Sequence, residues 1–340
     1  MTIDLRSDTV TKPCPQMLEA MMKAPLGDDV FNEDPTVIQL EKKLADMFEM
    51  EAGLFCPSGT MTNQIAINLH TRPGDEVLCD VNSHIYNYEG GGISKNSGVQ
   101  AKLLHGNRGR LSVQQISENI NGDFDWLCKT RLVSLENTVN RAGGSYYALS
   151  ELEKISAFCK KNSLAFHLDG ARIFNALVET GETPAQYGKL FDSVSVCLSK
   201  GLGSPAGSVL LGTKNFIKEA RRVRKVFGGG MRQAGILAAA GIFALDNNIK
   251  RLKEDHEKAK QLEECLIHLP YIESVLPVDT NIVIFNLKET ISGEQFEKLL
   301  AAENIKIAAF GKQTIRMVTH KDFTSEMLDV VLKKLRTIKN

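Results

Sequence analysis

The chain has 340 residues, 43% hydrophobic and 24% charged, with 41 basic residues balancing 41 acidic ones. It is long and apolar enough to bury a large core and is expected to form one large and one smaller domain. Formal neutrality and the lack of a long run of one sign argue against nucleic acid or an anionic membrane as the main partner. The seven cysteines are an odd number with no C-x-x-C spacing, so they read as reduced residues. No apolar stretch reaches the length of a membrane span, and charges occupy the N-terminal positions where an export signal needs apolar ones, so a cytoplasmic location is expected.

In chain order, the first 30 residues are polar and proline-bearing and show little core pattern, so they are expected to lie as an arm across another surface. Asp34-Pro35 reads as a helix cap followed by proline at the first helical position, with Val37, Leu40, Leu44, Met47 and Phe48 forming one apolar stripe. From there to about residue 212, β-branched runs alternate with helical patterns, as in a mostly parallel sheet with helices on both faces. The candidate strands are 53–56, 76–80, 131–136, 164–168, 194–198 and 208–211, and Ser150-x-x-Glu153 reads as a capping box opening a helix. Beyond residue 250 an amphipathic helix, 249–269, leads into strands 281–287 and 314–319 and helices near 293–303 and 325–336. The expected division is an arm to residue 30, a large α/β domain over 31–250, and a small α+β domain over 251–340.

In an open parallel sheet, ligands bind beyond the carboxyl ends of the strands, and both Asp169 and Lys200 fall at such ends. A carboxylate that keeps a pyridine nitrogen protonated, beside an amine that forms a Schiff base with an aldehyde, is what pyridoxal 5'-phosphate requires. Read alone, Asp169 could equally cap the next helix and Lys200 could be a solvated loop residue. Ser58-Gly59-Thr60 sits at a strand-to-helix junction, where free N–H groups and hydroxyls can cradle a phosphate, although an ordinary helix cap looks the same. His84 follows the next strand and could stack on a ring and exchange protons. Arg172 and Arg316 are candidates for bidentate clamping of a substrate carboxylate, with surface salt bridging as the alternative. Arg221-Arg222-Val223-Arg224-Lys225 reads as a solvated helix face from which part could serve the phosphate. The seven histidines show no metal-ligand spacing, so no metal is expected, and no G-x-G-x-x-G opens a dinucleotide site.

Taken together, several ordered segments strongly resemble the low-specificity L-threonine aldolases. They are Asp4-Leu5-Arg6-Ser7-Asp8-Thr9-Val10-Thr11, Gly27-Asp28-Asp29-Val30, Ser134-Leu135-Glu136-Asn137-Thr138, Asp169-Gly170-Ala171-Arg172-Ile173-Phe174-Asn175, Ser199-Lys200-Gly201-Leu202-Gly203, Gly228-Gly229-Gly230-Met231-Arg232-Gln233 and Arg316-x-Val318-Thr319-His320. The resemblance covers essentially the whole chain. It implies a fold-type I pyridoxal phosphate enzyme of the aspartate aminotransferase-like fold, commonly a tetramer of two tight dimers. Such enzymes cleave L-threonine and L-allo-threonine to glycine and acetaldehyde.

By matching motif, the resemblance makes Lys200 the Schiff-base lysine, Asp169 the partner of the pyridine nitrogen and His84 the ring-stacking histidine. Ser7, Arg172 and Arg316 would hold the substrate carboxylate, and Ser58, Gly59 and Thr60 the phosphate. Arg232, and with it Lys225, would reach that phosphate from a neighbouring subunit. The family often carries histidines where this chain has Trp126 and Val139, so Trp126 is expected to narrow the pocket and His84, through a water, to act on the β-hydroxyl. A β-eliminating lyase or an amino-acid racemase would use the same lysine, aspartate and phosphate parts.

Overall fold

The computed structural model describes residues 2–338; Met1, Lys339 and Asn340, which the expected domain limits include, lie outside the described residues. The chain enters as a two-residue strand β1 (Ile3–Asp4). A large sheet follows, built from β2 (Ala52–Cys56), β3 (Glu76–Asp80), β4 (Gln100–Leu104), β5 (Thr130–Glu136), β6 (Ala165–Gly170), β7 (Ser193–Cys197) and β8 (Ser208–Gly212). Its order is β2-β8-β7-β6-β5-β3-β4. All neighbouring pairs are parallel except those of β8, which runs antiparallel to both β2 and β7. The strand after Lys200 therefore returns along the sheet without a crossover helix. This places Ser208, at its start, opposite Cys197 and Cys56, at the carboxyl ends of β7 and β2.

A smaller antiparallel sheet takes β9 (Ile272–Val275), β10 (Ile282–Leu287), β12 (Ala308–Ala309) and β13 (Thr314–Val318), while β11 (Ile305–Lys306) pairs in parallel with β1. Two main cores result, one around Phe48, Phe166, Leu168 and Val196, the other around Phe285, Phe296, Ile315 and Met317.

The local signals explain the elements well in some places and badly in others. Helix Pro35–Phe48 begins where expected: the Asp34 carboxylate accepts the N–H groups of Thr36 and Val37, each at 3.1 Å, and Val37, Leu40, Leu44 and Phe48 are buried. Helix Leu149–Lys161 instead starts one residue before Ser150, with the extended Ala148 as its cap and no side-chain capping bond, so Ser150-x-x-Glu153 is not a capping box. Strand β4 escaped the sequence pattern because it is an edge strand with only Leu104 buried.

The surface across which the first residues lie is this chain's own. Ile3 and Leu5 are buried in the smaller core, the Val318 N–H donates to the Leu5 carbonyl at 2.8 Å, and Met17 enters the larger core. Alternation of Ile3 and Leu5 over two strand positions is too short a pattern to read as core from sequence.

Candidate active site

Six strands of the large sheet point their carboxyl ends to one edge, and the segments at or beyond those ends supply Ser58, His84, Asp169, Arg172 and Lys200. At the end of β6, Asp169 is buried and accepts the Ala171 N–H at 3.1 Å and the Asn63 amide at 2.9 Å. Asn63 is held in turn: its carbonyl oxygen lies 3.2 Å from His167 Nε2, and His167 Nδ1 lies 2.8 Å from Ser193 Oγ. Burial drives the His167 imidazole down to about 3, so it stays neutral and serves as a hydrogen-bonding strut behind Asp169.

His84 opens the short helix His84–Asn87 beyond β3. Its Nδ1 is 2.9 Å from Glu89 Oε1, and its Nε2 has no protein partner among the described residues. Burial pulls the imidazole down, but the Glu89 hydrogen bond and the charges of Asp169, Glu89 and Glu136 outweigh it and the net shift is upward. Ligand atoms of His84, Glu89 and Asp169 lie within 4.8 Å of one another, which defines a compact polar wall.

Ser58 caps helix Gly59–His70 through its hydroxyl, which accepts the Met61 N–H at 3.2 Å. The same helix carries Asn63, whose backbone lies about 6 Å along the axis from Gly59 at 1.5 Å rise per residue, so one helix start serves both the cap and the Asp169 contact. A Cβ on Gly59 would stand 3.4 Å from Ser208 Oγ, and that hydroxyl is buried with no hydrogen-bond partner. An unpaired hydroxyl facing the free N–H groups of a helix start fits an anionic group. Ser58, Thr60, Gln64, Lys95 and Val226 line an open groove of about 540 Å³ beside it.

Lys200 follows β7 and is half-buried, with its carbonyl oxygen accepting the Thr11 hydroxyl at 3.0 Å. Burial raises the neighbouring Asp8 carboxyl, yet the charges of Arg172 and Lys200 bring it to about 2. Asp8 grips Arg172 in a fork, at 2.8 Å from Nε and 2.6 Å from Nη2. Arg172 is thus no free clamp: one edge is spent on Asp8, and only Nη1 lacks a protein partner among the described residues.

Arg316 is buried with no acidic partner. Its Nη1 donates to Asn140 Oδ1 and its Nη2 to the Arg6 carbonyl, both at 2.8 Å, its Nε is unpaired, and Phe310 stacks 4.2 Å from the guanidinium. Burial, and after it the charge of Arg172, lowers Arg316 to about 10. Two guanidiniums close enough for the charge of Arg172 to act on Arg316, with only Arg172 paired to a carboxylate, leave an unbalanced positive charge, which suits a carboxylate ligand. Ser7, half-buried between Arg6 and Asp8, accepts the Thr9 N–H at 3.2 Å and Thr9 Oγ1 at 2.9 Å.

Other expectations fail. Trp126 does not narrow this pocket: it is 74% exposed and stacks on Phe124 at 4.8 Å, whereas Val139 is a core residue against Gly109. The basic helix is not simply a solvated face, because Arg224 is buried on Asp29 and the Phe55 carbonyl and Arg221 pairs with Glu41. The expectation for Lys225 and Arg232 is different, since it concerns a neighbouring subunit: within this chain Lys225 is exposed beside Gly230, and Arg232 pairs with Asp28 at 2.9 Å. Sequence reasoning gave no role to Asp8, Asn63, Glu89, Glu136 or Ser208. Only Glu136, ending β5, carried a usable signal, the strand-end position itself.

The profile of the beta-eliminating lyase family matches residues 4–290. Low-specificity L-threonine aldolase 1 of Arabidopsis thaliana is 40% identical over 331 residues, 95% of this chain and 92% of its own length. The low specificity L-threonine aldolase of Escherichia coli (strain K12) is 41% identical over 327 residues, 96% of each chain. The solved structure of Leishmania major threonine aldolase shares the fold, with a TM-score of 0.84 over 98% of both chains at 23% identity. The chain therefore belongs to the beta-eliminating lyase family and, within it, to the low-specificity L-threonine aldolases.

Proposed function

We infer that the protein is a pyridoxal phosphate-dependent lyase that cleaves the Cα–Cβ bond of L-threonine and L-allo-threonine, releasing glycine and acetaldehyde. The observation that carries this reading is the buried Asp169 at one strand end and Lys200 beyond the next, in a chain that also buries Arg172 on Asp8 and Arg316 with no acidic partner. When bound, the cofactor supplies an electron sink conjugated to the substrate amine.

The chain's own residues do the rest. Asp169, fixed by Asn63, would keep the pyridine nitrogen protonated, and Lys200 would supply the amine that holds the cofactor's aldehyde. Ser58, Gly59, Thr60 and Ser208 take the phosphate, with the unpaired Ser208 hydroxyl as the observation that supports the fit. Arg316, Ser7 and the free Nη1 of Arg172 hold the substrate carboxylate; this fixes rotation about N–Cα and selects which bond breaks. His84 Nε2, with Glu89 behind Nδ1, takes the β-hydroxyl proton directly or through a water.

The division into an arm to residue 30, a large domain over 31–250 and a small one over 251–340 belongs to the same proposal, supported by the two main cores. So does assembly. Phe31 and Val226 are 69% and 82% exposed, Phe31 under the Arg232 guanidinium and Val226 two residues before the Gly228-Gly229-Gly230 turn, and a second copy would cover them and bring Arg232, with Lys225, to the phosphate groove. We extend this to a homotetramer of two dimers in the cytoplasm that supplies glycine from threonine; no described helix is long and apolar enough to cross a membrane.

The test is product analysis with both diastereomers and with His84→Asn. The parent should release glycine and acetaldehyde from each, and His84→Asn should lower kcat for at least one by about a hundredfold. Unchanged kcat for both would remove His84 from the proton-transfer role, and absence of acetaldehyde would reject the aldolase reading.

A further inference from the structure

Glu136 is the last residue of β5, in register with Asp169 of β6, and is buried. Neither of its carboxylate oxygens is idle. Oε2 accepts the backbone N–H of His84 at 2.7 Å, and Oε1 accepts the backbone N–H of Asn140 at 2.8 Å. Asn140 passes the connection on, since its side-chain oxygen accepts from Arg316 Nη1 at 2.8 Å. One carboxylate thus ties the start of the His84 helix to the turn that aims Arg316.

We propose that Glu136 is a positioning residue that sets the carboxylate clamp through Asn140 while fixing His84 against the cofactor site. The inference rests on the reading of Arg316 as the substrate-carboxylate ligand. Backbone N–H groups define a stricter geometry than two side chains could, because they move only with the chain. The arrangement is also expensive to keep. Burial, and after it the charge of Asp169, pushes Glu136 up to about 7, and the two N–H groups and the His84 charge only partly offset this. A neutral residue would relieve that penalty but could not accept at both oxygens. An amide in its place would turn an N–H donor towards one of the two donors, so His84 or Asn140 would have to move.

The experiment is glycine binding to the holoenzyme by calorimetry in Glu136→Gln, Asn140→Ala and the double variant. Each single change should weaken glycine by about tenfold, the scale of a lost hydrogen bond to a charged group. If Glu136 acts through Asn140, the double variant should be no weaker than the weaker single one, because both break the same chain of contacts. Losses that multiply to about a hundredfold in the double variant, or a Glu136→Gln affinity within twofold of the parent, would overturn the proposal. Should Glu136→Gln fail to fold, Glu136→Asp, which keeps the charge but shortens the reach, runs through the same cycle under the same criteria. Arg316→Met separates the two levels of the argument: if it retains glycine affinity, the carboxylate reading itself is wrong, and if it alone loses affinity, only the role of Glu136 falls.

Discussion

At the scale of single residues, the site is a set of charges whose balance depends on one aspartate. Asp8 holds Arg172 by two short hydrogen bonds with both side chains buried, and Asn281 adds a third contact at 3.3 Å. Removing the carboxylate leaves a buried guanidinium uncompensated, so Asp8→Asn should lose about 3–5 kcal/mol in urea unfolding. The same change should raise KM for threonine, since Arg172 would swing from its present edge. A loss under about 1 kcal/mol would mean that water or Arg172 itself relaxes to replace the pair. The placement of Lys200, Asp169 and His84 at or just beyond strand ends was legible in the sequence, because polar residues that close apolar runs come out at one edge of the sheet. The contacts of Asp8 and Asn63 were not, since their partners lie 164 and 106 residues away and no local spacing encodes them. Arg172 shows the same limit from the other side: its residue type announced an anion partner, but only the fold reveals that Asp8 already occupies one edge.

At the scale of elements, the helix that carries Leu40 and Phe48 is fixed at both ends by specific contacts. Asp34 caps its start and also accepts the Gly235 N–H at 2.9 Å, so one carboxylate joins two helices. Asp34→Ala should therefore cost about 2 kcal/mol or more, above an ordinary cap, in equilibrium unfolding. At the far end, a Cβ on Gly188 would stand 1.8 Å from the Phe48 carbonyl oxygen. Gly188→Ala should be destabilising by about 1–3 kcal/mol through overpacking, read as a lower Tm, and an unchanged Tm would show that this contact yields freely. Helix Pro35–Phe48 could be read in advance because cap, proline and apolar stripe agree. The direction of β8 could not, because a fully buried strand looks alike in either orientation, and β4 was missed because an edge strand lacks the apolar run that marks its neighbours.

At the scale of the whole molecule, stability and assembly respond to groups outside the reacting centre. His167 is neutral in the fold, its value near 3 lying below the usual 6.5, so the unfolded chain binds more protons between those limits. Stability should fall as pH drops through 6.5, by up to about 1.4 kcal/mol per pH unit from this residue, and His167→Gln should flatten that slope in urea titrations at pH 7, 6 and 5. Equal slopes would assign the acid sensitivity elsewhere. Assembly is testable through Arg232, whose guanidinium meets Asp28 and the Phe31 ring among the described residues. Arg232→Ala should weaken cofactor retention on dialysis by about tenfold, the scale of one charge-assisted phosphate contact, and full retention would exclude it from the phosphate site. The account as a whole turns on Lys200, and the direct measurement is acetaldehyde release from L-threonine by the parent and by Lys200→Ala. Loss of at least about a thousandfold, in a variant that keeps the parent's Tm, is the expected result. Aldehyde release within tenfold of the parent would contradict the assignment of Lys200 and the mechanism built on it.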